Sequence, residues 1–415
     1  MNTKQIVTAQ NFNNMPAWFN AINKVWRGTY FVGTKIELSK DRLIKLARTE
    51  SGLQSFGEDF WEEPLERLIA SVNEESRLHP IGRFISQKRI VSLLNTRLRA
   101  EQWFKKHPEI LEQELYPVTV ICGLQRTGTT KLHRLLSADP DNRVLFSWEA
   151  LNPVPLSEHP AEIKMRKDAA RLSEKALQVM APGFFSIHPV EFEKPEEDIL
   201  LLDTTFLSTT AEATMHVPSY ANWLEQTDQS PAYEYVVKLL KFLQWQRPAK
   251  RWILKTPHHM EFLGLIKKNF GNVHYIWTHR NISESLPSFL SMVAHGRSIF
   301  SNEVSLEEVA KHWVKKTAYM LSKGIEFRKA NPGEKFTDIF YNELVAEPMN
   351  VVEKIYRNNG AISAELRQRF LDTEKQNTIN RFGKHVYKLE DFNLTAAEVN
   401  KAVQFYTDFV KTLQQ

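Results

Sequence analysis

Two glycines stand five positions apart in the segment Cys122–Thr130, which reads CGLQRTGTT and lies between an apolar run and a helical pattern. A loop of that kind points backbone N–H groups at an anion, and the dipole of the following helix favours negative charge. The spacing matches a nucleotide-triphosphate loop, Gly-x4-Gly-Lys-Ser/Thr, except that Thr129 stands where the lysine belongs. The cation sits inside the loop instead, at Arg126. No obvious acidic strand end supplies a magnesium ligand. Such a site is poorly suited to phosphoryl transfer from ATP, in which Mg²⁺ neutralises the β and γ oxygens. Further along, Arg280 follows a strand candidate and Ser288 comes eight positions later, two turns into the next helix. A guanidinium fork and a hydroxyl so placed can converge on one phosphate.

These groups need a scaffold that delivers them to one edge. Val118–Cys122 is a short apolar run and reads as a strand buried on both faces. Leu132, Leu135 and Leu136 then repeat at i, i+3, i+4, which predicts a helix beginning near Thr129. The same alternation recurs in the strand Trp252–Lys255, a helix through Phe262, Ile266 and Phe270, and the strand Val273–Thr278. Another helix carries Leu286, Phe289, Leu290 and Val293, Phe336–Tyr341 is a further strand, and Val399 to Val410 is a C-terminal amphipathic helix. Strands alternating with helices predict an α/β, P-loop-like three-layer fold with a central parallel sheet over residues 116–415. Residues 1–115, with broken 3.6 periodicity around Phe84, Ile85, Leu93, Leu94 and Leu98, read as a helical N-terminal extension packed on that core. The proline-interrupted stretches Pro153–Pro160 and Ala181–Pro195 read as loops or lids. Phe206, Tyr220 and Trp223 read first as core.

The loop GLQRTGTTKLHRLL resembles the 5'-phosphosulfate-binding loop of sulfotransferases that use 3'-phosphoadenosine 5'-phosphosulfate (PAPS), with Gln125 at a place where proline is common. THRNISESLPSFLSM is similar to the 3'-phosphate motif of that family, an arginine with a serine eight positions on. ILKTPHH, Ile253–His259, resembles its strand-end lysine, followed closely by a catalytic histidine in soluble members. The likeness is to soluble, bacterial-type members and covers residues 115–390 or so. It implies transfer of a sulfuryl group from PAPS, without a metal, to a hydroxyl or amine of a small-molecule acceptor by in-line attack. It further implies that Arg126, Thr127, Gly128, Thr129 and Thr130 hold the phosphosulfate, and that Arg280 and Ser288 fix the 3'-phosphate. Lys255 would neutralise charge growing on the sulfate oxygens. Two residues compete to be the general base. His258 lies three positions after Lys255, with Pro257 where many soluble members carry the histidine. Glu149, in LFSWEALNP, resembles a glutamate base of some protein-tyrosine and bacterial sulfotransferases, and Trp148 and Phe146 offer apolar surroundings that would tune it upward. Arg381 and Lys384, in NRFGKHVYKLEDF, are similar in place and charge to a late loop that closes over both phosphate groups.

Composition narrows the partners. Over 415 residues the formal net charge is +5 with cations and anions interspersed, which suits an anionic ligand and argues against a nucleic-acid arm. Cys122 is the only cysteine, so disulfide frameworks and cysteine zinc sites are excluded and the cytoplasm is expected. No apolar stretch approaches the eighteen or so residues of a spanning helix, so no membrane anchor is expected. Histidines 188, 216 and 295 show no metal-ligand spacing with carboxylates, and no metal is expected. Two rival readings stand beside the transferase: a P-loop kinase of a small metabolite, which requires ATP and Mg²⁺, and a non-catalytic nucleotide-binding protein that kept the donor site and lost the base.

Overall fold

The computed structural model describes residues 6–357, 362–377 and 384–415. In chain order its strands are β1 (Ile6–Thr8), β2 (Val118–Cys122), β3 (Asn142–Val144), β4 (Arg251–Lys255), β5 (Val273–His279), β6 (Lys335–Phe340) and β7 (Lys384–Val386). Strands β2 to β6 form one parallel sheet in the order β3-β4-β2-β5-β6, as the alternation of strands and helices predicts. β2 takes the middle because all five of its residues are buried and none needs water.

Side chains alternate across a strand, and the two faces bury different clusters. Ile121, Ile253, Ile276 and Ile339 pack with Leu132, Leu135 and Leu136 of the helix Thr129–Leu136. Val120, Leu254, Tyr275 and Trp277 point the other way, into a larger core with Leu239 and Leu243 of the helix Ser230–Gln246 and Met320 of the helix Leu306–Ala330. Those are the three layers. The N-terminal helices Lys40–Ser51, Glu62–Glu74 and Pro80–Lys106 add Leu43, Leu65, Leu94 and Leu98 to that larger core, so they share it with the sheet.

Some elements differ from the sequence expectation. The N-terminal segment is not wholly helical: β1 pairs in parallel with β7, Ile6 opposite Lys384. The C-terminal helix is two, Ala396–Ala402 and Gln404–Leu413, because Val403 leaves helical geometry at φ −118, ψ 21. A helix, Glu162–Met180, joins the two proline-rich stretches.

The register decides the site. Ile121 is paired with Lys255 and Cys122 with Trp277, so the carboxyl ends of β4, β2 and β5 lie side by side, about 4.8 Å apart per strand. The loops that follow all three open on one edge, where ligands of open α/β sheets bind.

Candidate active site

The loop after β2 is held in a conformation that its glycines permit. Gly123 has φ 134, and a Cβ there would lie 2.3 Å from Thr278 Oγ1 at the end of β5. Gly128 has φ 96 at the start of the helix Thr129–Leu136, with Leu344 Cδ2 2.8 Å from where a Cβ would sit. Thr127 Oγ1 donates to Leu124 O at 2.6 Å and lies 2.6 Å from Thr278 Oγ1, which staples the loop to β5. Because both backbone angle and space exclude a side chain, Gly123→Ala is expected to destabilise the fold by roughly 2 kcal/mol, readable as a lower urea midpoint at unchanged m-value.

The sequence candidates from β5 converge on this loop. Asn281 Oδ1 accepts from Ser283 N at 3.0 Å and starts the helix Ile282–Ser298, leaving Arg280 at the junction. Arg280 Nη1 donates to Arg126 O at 3.0 Å, and its guanidinium sits 4.0 Å over the Tyr341 ring. Arg126, at φ 65, donates from Nε to Ser288 Oγ at 3.0 Å. Burial, with Arg280 adding like charge, pulls the Arg126 pKa below its ordinary value. Two neighbouring guanidiniums in a crowded pocket are costly together and become favourable when a multiply charged anion lies between them. Backbone N–H groups at the helix start, a serine hydroxyl and this pair form a donor set suited to a multiply charged anion.

At the end of β4 the two histidines take different places. His259 Nε2 lies 2.6 Å from Asp198 Oδ2, and its Nδ1 2.9 Å from Tyr233 OH. Asp198 Oδ1 accepts from Lys255 N at 2.8 Å, so this buried chain of bonds fixes the strand end. Burial opposes the Asp198 charge, but His259 outweighs it and holds the carboxyl below the usual range. His258 lines a cavity, with Nδ1 3.2 Å from Thr209 Oγ1 and, among the described residues, no hydrogen-bond partner at Nε2. Burial drives its pKa well below 6.5, so the ring is neutral at pH 7. The Lys255 ammonium is 2.6 Å from Glu197 Oε1, and Thr256 Oγ1 donates to Glu197 Oε2 at 3.2 Å.

Glu149 meets cations where the sequence suggests apolar surroundings. It lies in the short helix Ser147–Leu151, and its carboxylate accepts from Arg143 Nη1 and Nη2 at 3.0 and 2.7 Å, from Arg247 Nη2 at 2.9 Å, and from Phe146 N at 3.1 Å. The expected upward tuning is reversed: burial opposes ionisation, but the two arginines prevail and the pKa falls. This corrects the expected upward tuning of Glu149. Arg381 lies outside the described residues. Lys384 opens β7, and next to it His385 Nε2 is 2.8 Å from Ser291 Oγ, on the helix that carries Ser288.

The cavity beside the β4 end has a volume of about 420 Å³. Gln125 of the loop, Glu197, Thr256 and His258 are among its polar liners, with Arg89 and Asp203, whereas Leu93, Leu177, Phe206, Met292 and Val293 are among its apolar walls. Phe206 and Tyr220 serve both core and cavity. Glu197 is a residue that sequence reasoning missed. The run Glu196-Glu197-Asp198 carries no motif spacing, and only the fold brings it to Lys255. Among the described residues no cluster of histidine, cysteine or carboxylate side chains is arranged to hold a metal ion, and no helix is long and apolar enough to cross a membrane.

A phosphate-type loop, a strand-end lysine and an arginine–serine pair on three adjacent parallel strands define a group-transfer class of fold and site. The model of the Sulfotransferase family matches residues 117–361, more than half of the chain, and the protein belongs to that family. Sulfotransferase STF1 from Mycobacterium tuberculosis H37Rv is similar in structure, with a TM-score of 0.77 and 27% identity over 88% of this chain and 98% of that one. Sulfotransferase STF9 from Mycobacterium avium is similar too, with a TM-score of 0.80 and 25% identity over 89% and 96%. No curated protein matches the sequence.

Proposed function

We propose that the protein moves a sulfuryl group from PAPS to a hydroxyl or amine of a small molecule with a largely apolar body. The observation that carries this reading is the meeting of Arg126, Arg280 and Ser288 at the sheet edge, next to a mostly apolar cavity lined by His258. When bound, the donor supplies an activated sulfuryl group, whose transfer forms a bond from the acceptor atom to sulfur and breaks the bond from sulfur to the phosphate oxygen.

The chain's own residues then have distinct tasks. Backbone N–H groups of Thr127, Gly128, Thr129 and Thr130, with the Arg126 guanidinium, bind the phosphosulfate end. Arg280 and Ser288 bind the 3'-phosphate, and Arg381 and Lys384 are assigned to the cover over both. Lys255, nearly sealed from solvent, balances negative charge on the reacting oxygens. His258 accepts the acceptor's proton at Nε2. Burial keeps the ring neutral at pH 7, and the tautomer that donates Nδ1–H to Thr209 Oγ1 leaves Nε2 free to take the proton. The apolar walls exclude water that would otherwise compete as acceptor.

Calorimetric titration with 3',5'-adenosine bisphosphate in the absence of metal tests the donor site. Binding is expected, and Arg280→Ala should weaken it by about 10- to 100-fold, the worth of one or two charge-assisted hydrogen bonds. Binding only of ATP with Mg²⁺ would overturn the reading in favour of a kinase. Bisphosphate binding with no transfer to any acceptor would leave a nucleotide-binding protein.

A further inference from the structure

The helix Glu162–Met180 is apolar on two sides. Its inner side closes the cavity through Ala170 and Leu177, with Ser173 and Glu174 between them. Its outer side carries Met165, Leu172 and Val179, spaced by seven residues and therefore on one stripe, with 43%, 68% and 61% of their surfaces in solvent. Apolar side chains of this size are usually turned inward on a helix that covers a core. Here the inward positions are already taken by others. Along one border of the stripe, at helical spacing, stand the exposed Lys164, Arg171 and Lys175, with Asp168 paired to the first two. A second protein would meet this border only with complementary acids at matching positions. An anionic lipid surface meets it without any register, because cationic heads stay among the headgroups while their stems and the apolar stripe enter the acyl boundary.

The inner side of the same helix adds an independent argument. The surface of the cavity it closes is mostly apolar, although charged groups such as Arg89 and Asp203 also line it, and His258 stands in its wall. A molecule suited to that surface has a largely apolar body and a reactive polar group that meets His258, and such molecules partition into bilayers.

We propose that the helix Glu162–Met180 docks on an anionic bilayer surface, and that the acceptor is an amphiphilic alcohol, phenol or amine drawn from that bilayer into the cavity beneath the helix. The acceptor half rests on the sulfuryl-transfer reading, whereas the docking half does not.

Full-length protein should sediment with vesicles of phosphatidylcholine and phosphatidylglycerol, and less with phosphatidylcholine alone. The paired substitution Leu172→Ser with Val179→Ser, both on the surface, should lower the partitioning by about tenfold or more. Sulfation of a long-chain 4-alkylphenol held in the vesicles should fall in parallel, while turnover of dissolved 4-nitrophenol and binding of adenosine bisphosphate stay unchanged. Absence of vesicle binding, or equal binding by the variant, would overturn the docking. So would a dimer that the same substitutions dissolve, because the stripe would then belong to a second copy. Docking without bisphosphate binding would instead overturn the donor reading and leave the docking in place.

Discussion

Lys255→Met is expected to lower kcat for 4-nitrophenol sulfation by about 10²- to 10³-fold, the cost of removing one preorganised charge at a reacting centre. Affinity for adenosine bisphosphate should change little, because that product lacks the sulfate the ammonium is placed to meet. The size of the effect follows from burial. Lys255 is 2% exposed, so its charge acts through a medium far less screening than water. Methionine preserves most of the stem's volume, which separates charge from packing. One complication is built into the site, since the variant strips Glu197 of the cation 2.6 Å away while Thr256 Oγ1 still donates to it. The double variant Lys255→Met with Glu197→Gln resolves it. If the orphaned carboxylate were the cause, both melting temperature and kcat would recover. If charge at the reacting oxygens is the cause, melting temperature recovers and kcat stays low. A single variant with wild-type kcat would remove Lys255 from the reaction.

What the sequence disclosed about this site, and what it hid, divides by range. β2, its loop and the start of the next helix were legible to the residue, because an apolar run, two glycines and an i, i+3, i+4 leucine pattern are local facts. Arg280 and Ser288 were legible for a similar reason: the end of β5 and the asparagine cap that follows fix where both stand. β3 was not. Its residues Asn142 and Arg143 read as polar, and they are buried only because Leu136 O, Tyr356 and Glu149 satisfy them across the fold. Nor was the role of Glu197, whose partner Lys255 is distant in the chain. The two adjacent histidines show the same limit. A 3₁₀ turn, Pro257–Glu261, sends His259 to Asp198 and His258 to the cavity, and the string of letters carries no sign of that difference.

Glu149→Gln is expected to cost about 3–5 kcal/mol of folding stability, measured by urea denaturation, with the folded fraction keeping its kcat. Glutamine retains an oxygen for Phe146 N, so the helix cap survives, while the charge is removed and an amide NH2 faces the Arg143 and Arg247 donors that Oε1 accepted. What remains is the Arg143 guanidinium, wholly buried and stacked 4.7 Å from the Trp252 ring, with backbone carbonyls of Val144 and Leu243 as acceptors but its carboxylate gone. Even beside Glu149, burial pulls the Arg143 pKa down to about 10. Without that anion the buried charge is uncompensated. The pH dependence has a definite sign. The Glu149 pKa in the fold lies below its ordinary value of 4.5, so its contribution is fully present above that pH and is lost as the pH falls through the folded value. Wild-type stability should therefore drop more steeply than that of the variant below about pH 4.5, and the gap between them should narrow in acid. A variant of wild-type stability whose kcat falls by about 10²-fold or more would return Glu149 to the role of base that its place in the sequence suggests. Loss of stability with intact turnover leaves proton removal to the cavity wall, where His258 stands.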